Sequence, residues 1–262
     1  MYADIFTDSW KRLKFPLFVP DLIFLLTSIL IGYVLFRSVS FGDLSSAEGI
    51  QTFVTSLVSQ SSSLIRMIVA FVIFIIVTFF LGAGALSWKY VMIRDVIKGK
   101  RVDAFKYFMK SGEFVWSVVL LKLLVFSIYV VSLLVIGLLF LLVSDSFQNL
   151  GALLGFGFLA GVIGLFYSLM LFFRYPILFF DVKNPVDALK KSFFVAKNNF
   201  EVLIVTIIIL VGINFGFGII FNIISLIIGE SFPSIFVIIL LGLIPKVWGD
   251  LFLFDVYNRI KR

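Results

Sequence analysis

Six stretches of about twenty or more predominantly apolar residues recur along the chain, at about 17–36, 66–88, 115–143, 150–175, 202–228 and 234–254. A helix of about 20 such residues crosses a hydrocarbon core of roughly 30 Å, and a lipid-exposed backbone must satisfy its own hydrogen bonds. The expected fold is therefore an all-α integral membrane protein of six transmembrane helices. Composition agrees: 61% of the 262 residues are hydrophobic and 14% charged, whereas soluble domains carry about 25% charged residues. The whole chain, 1–262, reads as a single polytopic domain.

Lys11, Arg12 and Lys14 precede the first apolar run, as in a secretory leader. That run is too long for a leader's apolar region, and no small-x-small cleavage site follows, so it is expected to stay as the first span.

The net charge of +7 is placed unevenly. Residues 89–114 hold Lys89, Arg94, Lys98, Lys100, Arg101, Lys106 and Lys110, and residues 174–200 hold Arg174, Lys183, Lys190, Lys191 and Lys197. The chain ends NRIKR, while 144–150 and 229–233 hold no base. Lysine and arginine in short loops orient a membrane protein, which puts both termini and both basic loops in the cytoplasm, with the plasma membrane as the expected location. Topology thus accounts for the basic residues without nucleic acid as a partner. In the long first outer loop, GIQTFVTSLVSQ sets Ile50, Phe53, Val54, Leu57 and Val58 on one helical face, which predicts a short surface helix.

Three inner segments read as amphipathic helices entering a span. The first has Tyr2, Ile5, Phe6, Trp10 and Leu13 on one face; the second has Val102, Phe105, Phe108 and Met109; the third has Val186, Leu189, Phe193, Ala196 and Phe200. VDAFKYF and VDALKKSF are alike. Each segment precedes two spans, which predicts three hairpins, each led by a cytoplasmic interfacial helix, as repeats over 1–88, 100–175 and 184–256. Chance is the competing reading, since short amphipathic strings are common. In the third segment Asn184 is placed to cap a helix starting at Pro185, Asp187 favours its dipole, and Lys191 pairs with Asp187 at i+4.

YPILFFDVKNPVDALKKSFFVAKNNFEVLIV resembles the signature of a broad superfamily of prokaryotic multi-span proteins. It includes the membrane domain of some glycerophosphoryl diester phosphodiesterases and the YciC-like integral membrane proteins. Pro176, Asp181, Ala188, Leu189, Ser192, Lys197 and Asn199 fill the pattern, and GLIPKVWGDLFLFDVYNRIKR is similar to its closing span. The resemblance implies fold and location and transfers no catalytic residue, because a separate soluble domain does the chemistry where one is present.

Chemistry is constrained by absence. The sequence holds no Cys and no His, which excludes disulfides, thiol catalysis, Cys/His metal sites and imidazole acid–base catalysis. No metalloprotease, P-loop or dinucleotide motif occurs, and no cofactor or metal is expected. Ionisable and amide groups inside spans are the remaining candidates: Asp21, Lys122, Arg174, Asp181, Asn214 and Asn222, with Asp250 and Asp255 near the last span's end. A pairing of Asp21 with Lys122 or Arg174 is one arrangement; snorkelling plus one structural ion pair is the simpler one. Asn214 and Asn222 share a helical face and suit either interhelical hydrogen bonds or a polar path. Lys98, Lys100, Arg101, Lys190, Lys191 and Lys197 are candidates for anionic headgroups. The expected function is non-enzymatic: organising or sensing lipids, or assembling with a membrane-protein partner or a second copy. The alternative is a transporter or channel for a small or lipidic solute between the hairpins.

Overall fold

The computed structural model describes residues 2–36, 61–143, 150–228 and 232–261. They are helical almost throughout: α1 (Tyr2–Lys11), a 3-10 turn (Phe15–Phe18), α2 (Val19–Phe36), α3 (Ser61–Ile97), α4 (Ala104–Val143), α5 (Leu150–Met170), α6 (Arg174–Phe180), α7 (Pro185–Asn198), α8 (Phe200–Ile228) and α9 (Phe232–Ile260). Six helical stretches are long and apolar enough to cross a membrane: Phe15–Leu35, Leu64–Ile97, Ala104–Phe140, Leu154–Phe180, Phe200–Leu226 and Val237–Ile260. The surface helix expected at 49–60 lies outside the described residues.

The helices overrun the apolar windows read from sequence. Hydropathy marks the lipid-facing part of a helix, whereas the helix stops only where its backbone is capped or broken. α3 continues to Ile97 and ends at Gly99, whose φ of 78° is the left-handed conformation glycine adopts freely. There Lys100 N–H donates to the Asp95 carbonyl at 2.9 Å and Gly99 N–H to the Val96 carbonyl at 3.0 Å. Asp103 then caps α4, its Oδ1 accepting from Phe105 N–H at 3.0 Å. Consequently, the second amphipathic segment is no separate helix: from Ala104 onward it forms the first turns of α4. Between α5 and α6 the helix is interrupted at Leu171–Phe173, where Arg174 donates to the Leu171 carbonyl both from its backbone N–H at 3.3 Å and from Nη1 at 2.9 Å.

Consecutive spans lie side by side: α2 on α3, α3 on α4, α4 on α5, and α8 on α9. α9 also returns to α3, α1 rests on α9, and α6 fits between α3 and α9. The core occupies one end of this bundle, where Val91, Met92, Ile93, Phe173, Ile177 and Phe252 are buried. The charged residues gather there too, so it is called the polar end below.

Two indole N–H groups tie elements together at this end. Trp88 Nε1 donates to the Ala104 carbonyl at 2.8 Å, joining α3 to α4, and Trp248 Nε1 donates to Ser9 Oγ at 3.0 Å, joining α9 to α1. α7 buries Ala188, Ser192 and Ala196, one small-residue stripe, and Ser192 Oγ donates to the Met170 carbonyl at 3.1 Å. Its large residues Val186, Phe193 and Phe194 are exposed. Small side chains let α7 approach the bundle closely, which turns the bulky apolar face outward.

Candidate functional site

Lys89 is fully buried at the heart of the polar end. It falls on the stripe of α3 that also carries Met92, Ile93 and Val96, at i, i+3, i+4 and i+7, so burying that stripe buries the ammonium. Its Nζ donates to Asp21 Oδ2 of α2 at 2.9 Å and lies 2.7 Å from Asp250 Oδ2 of α9. Lys246, one turn before Asp250, donates from Nζ to Asp21 Oδ1 at 2.8 Å. Tyr90 OH donates to Asp250 Oδ1 at 3.2 Å. Both oxygens of each carboxylate are thereby engaged, and two ammonium groups balance two carboxylates. A charge buried at an interior site is tolerable only with this degree of pairing.

Three smaller networks lie nearer the surface. Asp95, buried, receives Arg94 Nε at 3.0 Å, Tyr107 OH at 3.0 Å and Lys110 Nζ at 2.9 Å. Asp181 accepts from Lys191, Lys261 and, at 2.6 Å, Tyr257 OH. Burial raises the Asp181 pKa, but these hydrogen bonds outweigh it and hold the carboxyl below its ordinary value. Asp255 is buried with Arg12 at 3.3 Å, while Arg259 Nη2 donates to Asp8 at 3.0 Å.

The intramembrane candidates therefore separate. Asp21 pairs with Lys89 and Lys246, not with Lys122 or Arg174. Arg174 caps the break after α5 and stacks 5.0 Å from the Tyr175 ring centroid. Lys122 has no carboxylate partner among the described residues; its Nζ sits 5.4 Å from the Phe79 ring centroid. Asn214 and Asn222 line an open-sided groove of about 690 Å³ on α8, shared with Phe172, Leu210, Phe215 and Gly218. Asn214 Nδ2 donates back to the Leu210 carbonyl at 2.8 Å. Among the surface candidates, Lys191 is spent on Asp181 rather than Asp187, because α7 docks with Asp181 beside that face. Lys98 is exposed at the end of α3, 5.6 Å from the Phe180 ring centroid. Its pKa is lowered by burial and by the Arg94 charge. Lys190 and Lys197 are exposed on α7.

Lys100, Arg101, Lys106 and Lys110 line a pocket of about 450 Å³ with Asp95, Asp103 and Tyr107. Phe105 and Met109 stand beside it, 79% and 82% exposed, too bare for a water-facing surface but suited to lipid.

Sequence reasoning placed Asp21 and Asp250 at the inner span ends but missed their lysines. In sequence Lys89 opens a basic segment, yet it also shares a helical face with Met92, Ile93 and Val96; the Lys246-x-x-x-Asp250 spacing is the other signal the sequence offers. No group of three metal-binding side chains occurs among the described residues. No family model, curated protein or solved structure matches this chain.

Proposed function

We propose that this is a non-enzymatic multi-pass membrane protein that binds anionic lipid headgroups at its polar end, and so organises or senses lipids or assembles with other membrane proteins. The observation that carries the reading is the basic pocket of Lys100, Arg101, Lys106 and Lys110 beside the exposed Phe105 and Met109. Side chains that enter the acyl region next to cations at headgroup height are how interfacial segments hold anionic lipid. α7 repeats the combination with Val186, Phe193, Phe194, Lys190 and Lys197. In this reading the polar end and both termini face the cytoplasm, in the plasma membrane. The six spans form three hairpins introduced by amphipathic segments, as in the superfamily that the sequence resembles. A membrane-protein partner or a second copy would use the same lipid-facing surfaces.

The test is native mass spectrometry of the protein released from nanodiscs of phosphatidylcholine and phosphatidylglycerol. Lys100→Gln/Arg101→Gln/Lys106→Gln is expected to weaken phosphatidylglycerol retention by about 1 kcal/mol per charge. Unchanged retention would refute the reading. The α8 groove favours a second reading, passage of a lipidic solute, because its two amides interrupt an otherwise apolar lining. That reading requires Asn214→Leu/Asn222→Leu to slow lipid exchange between leaflets in proteoliposomes, and an unaltered rate rejects it.

A further inference from the structure

The basic pocket between the end of α3 and the start of α4 carries more positive charge than its own carboxylates meet. Lys100, Arg101, Lys106 and Lys110 line it against Asp95 and Asp103, which leaves two positive charges over. Both carboxylates are already engaged. Asp95 pairs with Arg94 at 3.0 Å and Lys110 at 2.9 Å, and accepts from Tyr107 OH at 3.0 Å. Asp103 Oδ1 accepts from the backbone N–H groups of Phe105 at 3.0 Å and Lys106 at 3.4 Å. The side chains of Lys100, Arg101 and Lys106 are exposed and have no carboxylate partner among the described residues. The four bases stand on two walls. Lys106 and Lys110 lie one turn apart on one face of α4, which Tyr107 and Lys110 tie to α3 through Asp95. Lys100 and Arg101 follow Gly99 in the connection, where Lys100 N–H donates to the Asp95 carbonyl at 2.9 Å. The space of about 450 Å³ that they line equals about fifteen waters at about 30 Å³ each, more than one phosphate fills.

We propose that this pocket selects lipids whose head carries two negative charges on phosphate, as one phosphomonoester or two phosphodiesters, over singly charged heads. The inference rests on the reading of the pocket as an anionic-lipid site and names the class of head it takes. A single phosphodiester brings one charge and leaves the other cation unmatched. A phosphomonoester brings about −1.5 to −2 at neutral pH, with three terminal oxygens to accept from ammonium and guanidinium groups. Two phosphodiesters joined through one glycerol bring the same charge, one phosphate for each wall. The hydrogen bonds to Asp95 fix the backbone of both walls before a lipid arrives, so the second charge is met without reordering them. The exposed Phe105 and Met109 stand beside the pocket, where the acyl chains of a lipid would lie.

Competition between lipids tests the selectivity, read by native mass spectrometry from phosphatidylcholine nanodiscs. One set holds phosphatidylglycerol and phosphatidic acid in equal amounts, the other phosphatidylglycerol and diphosphatidylglycerol. The doubly charged lipid is expected to be retained about tenfold over phosphatidylglycerol, the effect of one further charge-assisted hydrogen bond. A preference in the first set assigns one phosphate to the pocket, and a preference in the second assigns two. Lys100→Gln/Lys106→Gln removes the two surplus charges and should bring the competing lipids to near parity, whereas Lys100→Arg/Lys106→Arg keeps the preference. Lys190→Gln/Lys197→Gln, on α7, should leave it unchanged. Soluble glycerol phosphate added before release should not displace the lipid; displacement would overturn a lipid as the occupant. Equal retention in both sets, or a preference that Lys100→Gln/Lys106→Gln leaves intact, overturns the proposal. Failure of the underlying reading looks different: phosphatidylglycerol retention, measured alone, would then be unmoved by Lys100→Gln/Arg101→Gln/Lys106→Gln.

Discussion

The two halves of α3 are equally helical and live in different solvents. From Leu64 to Leu81 its large side chains face outward, with Ile65, Ile68, Phe71 and Ile76 about half exposed. From Ala83 to Ile97 it is enclosed, with Val91, Met92 and Ile93 fully buried and Lys89 among them. Lipid tails are as apolar as isoleucine, so burying the first half against another helix gains little. The second half is held by what lipid cannot replace: close packing, indole hydrogen bonds and ion pairs between α2, α3 and α9. The fold is accordingly anchored at one end, and its other half is apolar surface for the bilayer.

The strongest challenge to this contrast is Lys89→Met. It leaves Asp21 with Lys246 alone and removes the ammonium partner of Asp250, and it is expected to cost about 3–5 kcal/mol. Unfolding in detergent, followed by denaturant titration, measures it. Asp21→Asn/Lys89→Met/Asp250→Asn removes the charges together and should recover a large part of that loss; failure to recover would mean that packing rather than charge balance governs the centre. Next in size is a matched pair on one helix. Ile93→Ala opens a cavity in the enclosed half and is expected to cost about 2–5 kcal/mol, while Ile68→Ala on the lipid side stays within about 0.5 kcal/mol. Equal losses would erase the distinction between the halves.

The smallest expected effect is a pH dependence at the rim of the polar end. The Asp181 pKa is lower in the folded protein than its ordinary value, so its contribution is fully present above about pH 4 and is lost as pH falls through the lower folded value. Tyr257→Phe removes one of the hydrogen bonds responsible and should cost about 1 kcal/mol at neutral pH. It should also shrink the acid-dependent loss. An acid limb identical to that of the unsubstituted protein would assign the loss to another carboxylate.

Local signals were the ones legible in the sequence. Asn184 caps α7, accepting from Val186 N–H at 3.0 Å, as its place before Pro185 indicated. The expected Asp187–Lys191 pair was a local inference that failed, since Lys191 reaches Asp181 instead. An i,i+4 pair on an exposed helix is worth about 0.2–0.5 kcal/mol, and a buried carboxylate on a neighbouring element readily outcompetes it. Of the apolar face expected for this segment, Val186, Leu189, Phe193, Ala196 and Phe200, only Ala196 belongs to the buried stripe, which runs through Ala188, Ser192 and Ala196. In lipid, close approach rather than hydrophobicity selects the contact face.

The sequence by itself determined the solvent and the class: six apolar helices long enough to cross a bilayer, with charge at their ends and no Cys or His for thiol or imidazole chemistry. Those are properties of single segments, set by backbone hydrogen bonding and side-chain transfer energies. Only the tertiary structure decided which charges meet. Asp21 lies 68 positions from Lys89 and 225 from Lys246, and each pair depends on the rotation and depth of two helices. In an apolar solvent no hydropathy pattern fixes that rotation, so the partners emerge only when the helices are packed.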